Sequence, residues 1–455
     1  MPDVDVLVLG AGPAGSTAAL TAAAAGARVA VVEAERPGGA CVHHACIPTN
    51  ILLGAAEAYL TAREMDVLGV FSAGEAFQYA RATARREPLI RLLADGITAA
   101  LRMRQVELIH GRAAFTAPDR VALAGSRDAI SAEAFVVATG TRWQLPTVPG
   151  VPPERVLTPD QVQALLTPPA SALVLGGGPA DTVFALEYAF LLTVAGSRVT
   201  LATPHPRLIP ALDADLAEVA AATLTDVGVA VLYEAAVVAG EGEQVRVRHR
   251  DGAITVPAEV VVAADPRRPT TEGLGLAAAG VRTGGAGVPV DRACRTNVPH
   301  IYAAGDVTGG AMLTAAALHM GEVAGRNAVG GEAVTRLSRL PHLLHTVPEI
   351  GWIGLSEERA RAAGHQVHAG VCDLGFTARA VALGARRGLV KVVAEAELGE
   401  VLGVHVVGPG AAEILAAAAT AMQAELPVQE LAATVHWHPS MAEALAEAAR
   451  RCGAA

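Results

Sequence analysis

The sequence predicts an α/β protein of two doubly wound parallel-sheet units followed by a separate α+β domain. Three observations carry this. Strand, glycine turn and helix succeed one another between Val4 and Glu33, a second copy of that order begins at Ser171, and from Leu340 onward short strands alternate with helices in a different pattern. A chain of 455 residues has room for about three domains. Its apolar fraction of 52% and charged fraction of 18% exclude a disordered chain. No apolar run approaches about 18 residues, so no membrane partner is expected. The net charge of −10 argues against nucleic acid, which calls for a basic stripe. Met1 leads straight into an apolar strand with no basic segment or cleavage site, and the expected location is the cytoplasm.

The first element is the strand DVLVLG. The turn GAGPAG follows, with Gly10, Gly12, Pro13, Ala14 and Gly15, then a helix from Ser16 to Ala25 and a strand from Arg28 to Val32 ending at Glu33. In such a unit the first glycine permits the tight turn, the second lets backbone approach a pyrophosphate, and the third lets helix pack on strand. The helix start then offers free N–H groups to the phosphates. Glu33 stands 23 residues after Gly10, where a carboxylate accepts bonds from ribose hydroxyls.

The second unit runs from SALVLGGGPAD through a helix from Thr182 to about Val194 and a strand from Arg198 to Leu201. Two nucleotide sites are therefore expected. Ala134 to Gly140 and Val260 to Ala264 read as strands that complete the two sheets, and HIYAAGD leads into a long helix from about Leu313 to Val329. In the last third, strands are expected at Leu389 to Val393 and Val401 to Val407. Helices are expected at Glu357 to Ala363, Ala411 to Ala424, Val428 to Leu431 and Met441 to Arg450. These readings place domains at 1–147 with 271–336, at 148–270 and at 337–455.

Chemistry concentrates in GGACVHHACIPTN. Cysteines five apart on one ideal helix would sit about 140° apart and about 7.5 Å apart along the axis, too far for a disulfide, which wants Cα atoms within roughly 4.4 to 6.8 Å. Pro48 changes the geometry. A proline is tolerated only in a helix's first turn, so the helix should start near Cys46, with Cys41 on an irregular turn before it. Bridging is then possible, and the Cys46 sulfur sits where the helix dipole favours a thiolate. A metal site or plain structural cysteines are the alternatives, and no second ligand pair at suitable spacing accompanies the first. Cys294, Cys372 and Cys452 are scattered and are assigned no chemistry.

Here the sequence resembles the two-cysteine flavoprotein disulfide reductases, the group of dihydrolipoamide dehydrogenase, glutathione reductase and mercuric reductase. The resemblance spans essentially the whole chain. It rests on GAGPAG with Glu33, on GGACVHHACIPTN, on ATG at Ala138 to Gly140 and on Gly305 and Asp306 within IYAAGDVTGG. It continues in VPEIGWIGLSEE, GVHVVGPGAAEIL and HWHPSMAEAL. It implies FAD as cofactor, held by Gly10, Gly12, Pro13, Ala14, Gly15, Glu33, Gly39, Ala40, Thr139, Gly140, Gly305 and Asp306. Glu33 would hold the adenosine ribose and Asp306 the ribityl and pyrophosphate side. Cys46 would face the isoalloxazine as the charge-transfer thiolate, and Cys41 would exchange with a small-molecule thiol or disulfide. It also implies that the C-terminal domain makes a homodimer, in which His438 and Glu443 of one chain complete the site over the other chain's cysteines. His438 is the expected base, with Pro439 at a helix start and Glu443 reaching back to orient the imidazole. No metal is expected.

The nicotinamide side departs from that family. The third glycine of the second turn is Asp181, the glutamate two residues on is Val183, and the lysine after the redox motif is Asn50. Both halves of one ion pair are thus absent, whereas loss of one alone would leave an uncompensated charge. The ribose acid at the second strand's end is Thr203, with His205 and Arg207 nearby to receive a 2′-phosphate instead, and the glycine of the family's GRxPN loop is Pro266, followed by Arg267. A carboxylate about 5 Å from a phosphate charge costs roughly 3 kcal/mol at an effective dielectric near 20. NAD(P) is therefore a doubtful cofactor. On a conserving reading, Asp181 caps its own helix and NADPH binds through Arg207 and Arg267. His43 and His44 between the cysteines are read as tuning the thiols, acting as extra bases or meeting an acidic substrate, with solvated loop residues as the plain alternative and a metal site shared with His436 and His438 as a remote one. The expected function is an FAD-dependent dithiol–disulfide oxidoreductase without efficient NAD(P)H use and linked to oxygen. The rivals are a conventional NAD(P)H-dependent disulfide reductase, a flavin oxidase or dehydrogenase tailoring a carbon substrate, and a non-catalytic flavoprotein.

Overall fold

A computed structural model of the chain describes residues 2–64, 76–125, 129–176, 183–264, 267–385 and 387–453. By contact it divides into two compact units. One gathers residues 1–49, 84–144 and 266–337, and the other residues 50–83, 145–265 and 338–455.

The first unit is built on a seven-stranded sheet. Its middle is β1 (Val4–Leu9), whose residues Val6 to Leu9 are at most 1% exposed, because a parallel strand covered on both faces must be apolar throughout. β2 (Val29–Glu33) and then Glu107–His110 lie on one side. Ala129–Val137 lies on the other, with Ile301–Ala303 beyond it, all parallel. Helix α1 (Pro13–Ala24) makes the crossover between β1 and β2. Gly10 takes φ +100° and Gly15 abuts it so closely that a Cβ there would fall 1.8 Å from the Gly10 carbonyl oxygen, as the glycine pattern requires. The helix Thr314–Ala328 lies against α1 with its own small residues, since a Cβ on Gly321 would come within 2.3 Å of the Ala14 oxygen. That close crossing carries the start of the helix to the redox segment.

The second unit holds a five-stranded parallel sheet in the order Ala230–Leu232, Arg198–Ala202, Ser171–Leu175, Val260–Ala263 and Val156–Leu157. A three-stranded meander, Ala236–Glu241, Gln244–His249 and Gly252–Pro257, attaches to it, and the sequence reading assigned none of these strands. The C-terminal part is an antiparallel sheet of five strands, ordered Pro341–Leu344, Ile350–Gly354, Val401–Val407, Leu389–Glu395 and Val367–Asp373. Helices Ala411–Gln423 and Glu443–Gly453 pack on it. No helix among the described residues is long and apolar enough to cross a membrane.

A buried charge cluster joins three segments of this unit. The Lys391 ammonium, 6% exposed, lies 2.8 Å from Glu357, 3.0 Å from Asp213 and 3.2 Å from Asp215. Asp213 also accepts the N–H groups of Glu357 and Glu358 at 3.0 Å each. Burial opposes its charge, but those N–H groups and the ammonium outweigh burial and lower its pKa. Across the strand pair from Lys391, His405 is kept neutral by burial, so the ammonium faces no second cation. Lys391→Met is expected to cost about 3 to 5 kcal/mol, because the buried Asp213 carboxylate loses the ammonium that pairs with it. Urea unfolding measures this, and a loss under about 1 kcal/mol would refute it. Since the Asp213 pKa is depressed in the folded state, its contribution is present above the ordinary carboxylate range. It disappears as pH falls through the folded value.

Candidate functional site

Helix α3 (Cys46–Glu64) starts at Cys46, with Pro48 in its first turn as the sequence indicates. The irregular turn expected around Cys41 is instead a short helix, α2 (Gly39–His43). Gly38, at φ +113°, lets the chain turn into it, and the Gly38 N–H donates to the Ala11 carbonyl at 2.8 Å, tying the redox segment to the first glycine turn. The Ala40 carbonyl accepts the N–H groups of His44 and Ala45, closing α2 just before α3 opens.

Both cysteine sulfurs are half-buried thiols, and each lies 3.3 Å from the Thr314 hydroxyl. The hydrogen bond between the two sulfurs acts on them in opposite directions. It pushes Cys41 up, helped by burial and the neighbouring negative sulfur, and it draws Cys46 down to about 6. Burial resists the Cys46 shift, while the Thr314 hydroxyl and the Arg267 charge support it. The sulfur at the head of α3 is thus the thiolate near neutral pH.

Arg267 was read from sequence as part of a dinucleotide cleft. In the structure its guanidinium pairs with Asp306 at 3.0 Å and donates to the Met312 carbonyl at 2.9 Å. Burial raises the Asp306 pKa, opposed by Arg267 and by the Thr141 hydroxyl, which donates from 3.4 Å. Thr139 donates to the Thr270 carbonyl at 2.7 Å, and Gly140 accepts the Thr270 N–H at 2.8 Å. Gly305 stands at φ +77° directly before Asp306, with Ala14 packed so near that a Cβ would lie 2.9 Å from the alanine methyl. Sequence reasoning missed Thr141 and Thr314, which sit in no recognisable motif.

The Glu33 carboxylate accepts the Ala11 N–H at 2.7 Å through one oxygen and the Glu35 N–H at 2.8 Å through the other. Each oxygen keeps a lone pair for a ribose hydroxyl. Pro13 is the first residue of α1, Gly12 caps it without a side chain, and no acid occupies its first turn. Between Gly12 and Gly39 the backbones are bare, and a Cβ on Gly12 would meet nothing closer than the Gly39 Cα at 3.8 Å. His43 bonds the Pro37 carbonyl at 2.9 Å and His44 lies 3.6 Å from Glu35, so neither ring is bonded to a sulfur.

In the other unit, His438 Nδ1 meets Glu443 at 2.9 Å, the orientation the sequence led us to expect. Pro439, however, is not at a helix start, because the helix opens at Glu443, whose second oxygen accepts the Ser440 N–H at 2.8 Å. That bond, followed by the one to His438, lowers the Glu443 pKa. Of the nicotinamide-side positions, Gly178, Asp181 and Pro266 lie outside the described residues. Val183 heads the helix Val183–Val194, and the buried Thr203 accepts the His205 N–H at 3.3 Å. Arg207, offered above as a phosphate partner, is instead held bidentate by Glu358.

Paired thiols at a helix head, beside a dinucleotide-type glycine turn, are the arrangement of a flavin-linked disulfide oxidoreductase. The chain belongs to the pyridine nucleotide-disulphide oxidoreductase family, which matches residues 4–321, and that family's dimerisation domain matches residues 340–449. It is 34% identical to the dihydrolipoyl dehydrogenase of Thermus scotoductus, over 99% of this chain and 97% of the relative. Among solved structures it is similar to LpdA from Mycobacterium tuberculosis, with a TM-score of 0.88 and 30% identity over 98% of this chain and 99% of that one. It is also similar to the HOCl-induced flavoprotein disulfide reductase RclA from Escherichia coli, with a TM-score of 0.84 and 26% identity over 98% and 99%. The protein is accordingly an FAD-dependent oxidoreductase of this type. The uncapped start of α1, the bare backbone between Gly12 and Gly39 and the oriented Glu33 carboxylate fit an FAD.

Proposed function

We propose that this enzyme oxidises a small dithiol through Cys41 and Cys46, uses NADH and NADPH poorly, and passes the electrons to molecular oxygen. The observation that carries the dithiol chemistry is the meeting of the Cys41 sulfur of α2 and the Cys46 sulfur at the head of α3, each 3.3 Å from the one Thr314 hydroxyl. FAD would be held by the turn from Gly10 to Gly15, by Glu33, Gly39 and Ala40, and by Thr139, Gly140, Gly305 and Asp306. When bound it supplies a two-electron acceptor that dithiols and oxygen can both address. On this reading FAD belongs to a domain of 1–147 with 271–336, with 148–270 a degenerate nicotinamide-type domain and 337–455 the homodimer interface.

A substrate thiol loses its proton to His438, whose cation is steadied by Glu443, and the resulting sulfur anion attacks the Cys41 sulfur of the oxidised pair. The bond between Cys41 and Cys46 breaks, and its electron pair leaves on Cys46, the sulfur whose surroundings favour negative charge. The second substrate thiol, losing its proton in turn, attacks the mixed disulfide and releases Cys41, which takes up a proton. The substrate leaves as a disulfide, and overall one dithiol and one O2 become one disulfide and one hydrogen peroxide. His438 and Glu443 of one chain serve the cysteines of the other, a reading supported by the dimerisation domain that contains them.

Poor use of nicotinamide rests on Asn50, Val183, Thr203 and Asp181 in sequence and on the engagement of Arg207 with Glu358. The second reading, a conventional NAD-linked dihydrolipoamide dehydrogenase-like enzyme, is favoured by relatives of that name along nearly the whole chain. Anaerobic mixing separates them. A dithiol should bleach the flavin within seconds and admitted oxygen should restore it with peroxide formed, whereas failure of the dithiol to reduce the flavin would end the proposal.

A further inference from the structure

A two-stranded ribbon apart from the main sheets ends on the carboxylate that is read above as holding FAD. Its strands, Thr141–Trp143 and Arg267–Pro269, pair antiparallel with Arg267 opposite Trp143 and Pro269 opposite Thr141. Each strand sends one donor to the same atom. The Arg267 guanidinium lies 3.0 Å and the Thr141 hydroxyl 3.4 Å from Asp306 Oδ2, while Asp306 Oδ1 accepts no hydrogen bond among the described residues. A second guanidinium nitrogen donates to the Met312 carbonyl at 2.9 Å, and Met312 is held at φ +49°. One side chain thus ties together the two ends of the loop from Asp306 to Met312, just before the helix Thr314–Ala328. The Arg267 Cζ also lies 5.9 Å from the centre of the Trp143 ring, and both members of the ion pair are 19% exposed.

We propose that Arg267 is a positioning residue for the flavin cofactor that acts through Asp306: with Thr141 it occupies one carboxylate oxygen and so reserves the other for a hydroxyl of FAD. This rests on the assignment of Asp306 to FAD in the reading above. The backbone leading into Asp306 is already fixed, since a Cβ on Gly305 would lie 2.9 Å from the Ala14 methyl and 3.3 Å from that of Ala317. What remains to be set is the rotation of the carboxylate, a torsion that is broad in an aspartate left to itself. Two donors on one oxygen set it, and the charged one is the stronger. An ionised carboxylate only accepts, so the second oxygen suits a hydroxyl that has a proton to give. Burial works against that ionised form, and Arg267 and then Thr141 oppose it. With its nitrogens bound to Asp306 and to the Met312 carbonyl, the guanidinium serves the cofactor through the carboxylate it holds.

The test is a double-mutant cycle on FAD affinity. Holoenzyme is diluted, the fluorescence of released FAD gives the dissociation constant, and the far-ultraviolet spectrum of each variant checks the fold. Arg267→Met should weaken FAD binding about tenfold, the effect of losing a charge-assisted hydrogen bond. Arg267→Lys keeps a cation beside Asp306 and should return to within about threefold of wild type, a rescue that a merely structural role would not produce. Asp306→Asn should itself weaken binding about tenfold. Adding Arg267→Met to it should then cost less than about twofold more, because the arginine has no carboxylate left to hold. Should Arg267→Met fail to fold, Thr141→Val carries the same cycle, with a loss of about threefold alone and none beside Asp306→Asn. Equal losses with and without Asp306→Asn would mean that the arginine meets the cofactor itself or only supports the fold, and would overturn this inference alone. An unchanged affinity in Arg267→Met does the same. An unchanged affinity in Asp306→Asn overturns the assignment of Asp306 to FAD and this inference with it.

Discussion

Replacing Cys46 with serine is expected to lower dithiol turnover by about a thousandfold or more, while FAD content and the far-ultraviolet spectrum stay near wild type. The size follows from what the sulfur does. In the proposed reaction it is the atom on which the electron pair arrives when the disulfide opens, and its surroundings draw its pKa down to about 6. A serine oxygen keeps an ordinary alcohol's basicity and cannot form the disulfide at all. Its side chain nevertheless fits the half-buried position, so the fold should not suffer. Steady-state oxidation of dihydrolipoamide and of dithiothreitol, normalised to bound flavin, makes the measurement. Retention of more than about a tenth of the activity in both Cys46→Ser and Cys41→Ser would mean that electrons reach the flavin by another route, as in an oxidase acting on a carbon substrate.

The second large effect concerns the nicotinamides. Wild-type flavin should be reduced by millimolar NADH or NADPH at well under about 1 per second, and the repair should come in two stages. Asp181→Gly removes a charge that would oppose a phosphate by roughly 3 kcal/mol, so affinity should improve by about a hundredfold. Hydride transfer should then require Val183→Glu and Asn50→Lys together, since either alone leaves one unpaired charge. Stopped-flow absorbance separates the stages, through the concentration dependence for binding and the limiting rate for chemistry. Reduction of the unaltered protein at tens per second would identify a conventional NAD-linked enzyme and remove the oxygen-linked reading.

Much of the site was legible because its signals are local. Glycine turn, helix and Glu33 occupy about thirty consecutive residues, and the backbone conformations they need are available to few other residue types. The approach of Glu33 to the Ala11 N–H is therefore a consequence of one βαβ unit. Pro48 announced the start of α3 for the same reason. The meander at 236–257 was not legible. Its outer strands, Ala236–Glu241 and Gly252–Pro257, are mostly exposed and show no alternating period, and only the middle one, where Val245 and Val247 alternate with Arg246 and Arg248, carries a strand signal. Pro439 misled, because a proline marks a helix's first turn only when a helix follows, and here the Glu443 side chain starts the helix four residues later.

By itself the sequence determined the glycine turns, the spacing of the cysteines, the head of α3 and the partnership of His438 with Glu443, each set by residues close along the chain. The tertiary structure alone decided the electrostatics. Thr314 is 268 residues from Cys46 and 273 from Cys41, Arg267 is 39 residues from the Asp306 it neutralises, and Lys391 is 176 from Asp215. A hydroxyl or a cation has no periodicity that betrays its partner. Which sulfur becomes the thiolate depends on donors within a few ångströms, and only the packing of one helix on another places them there.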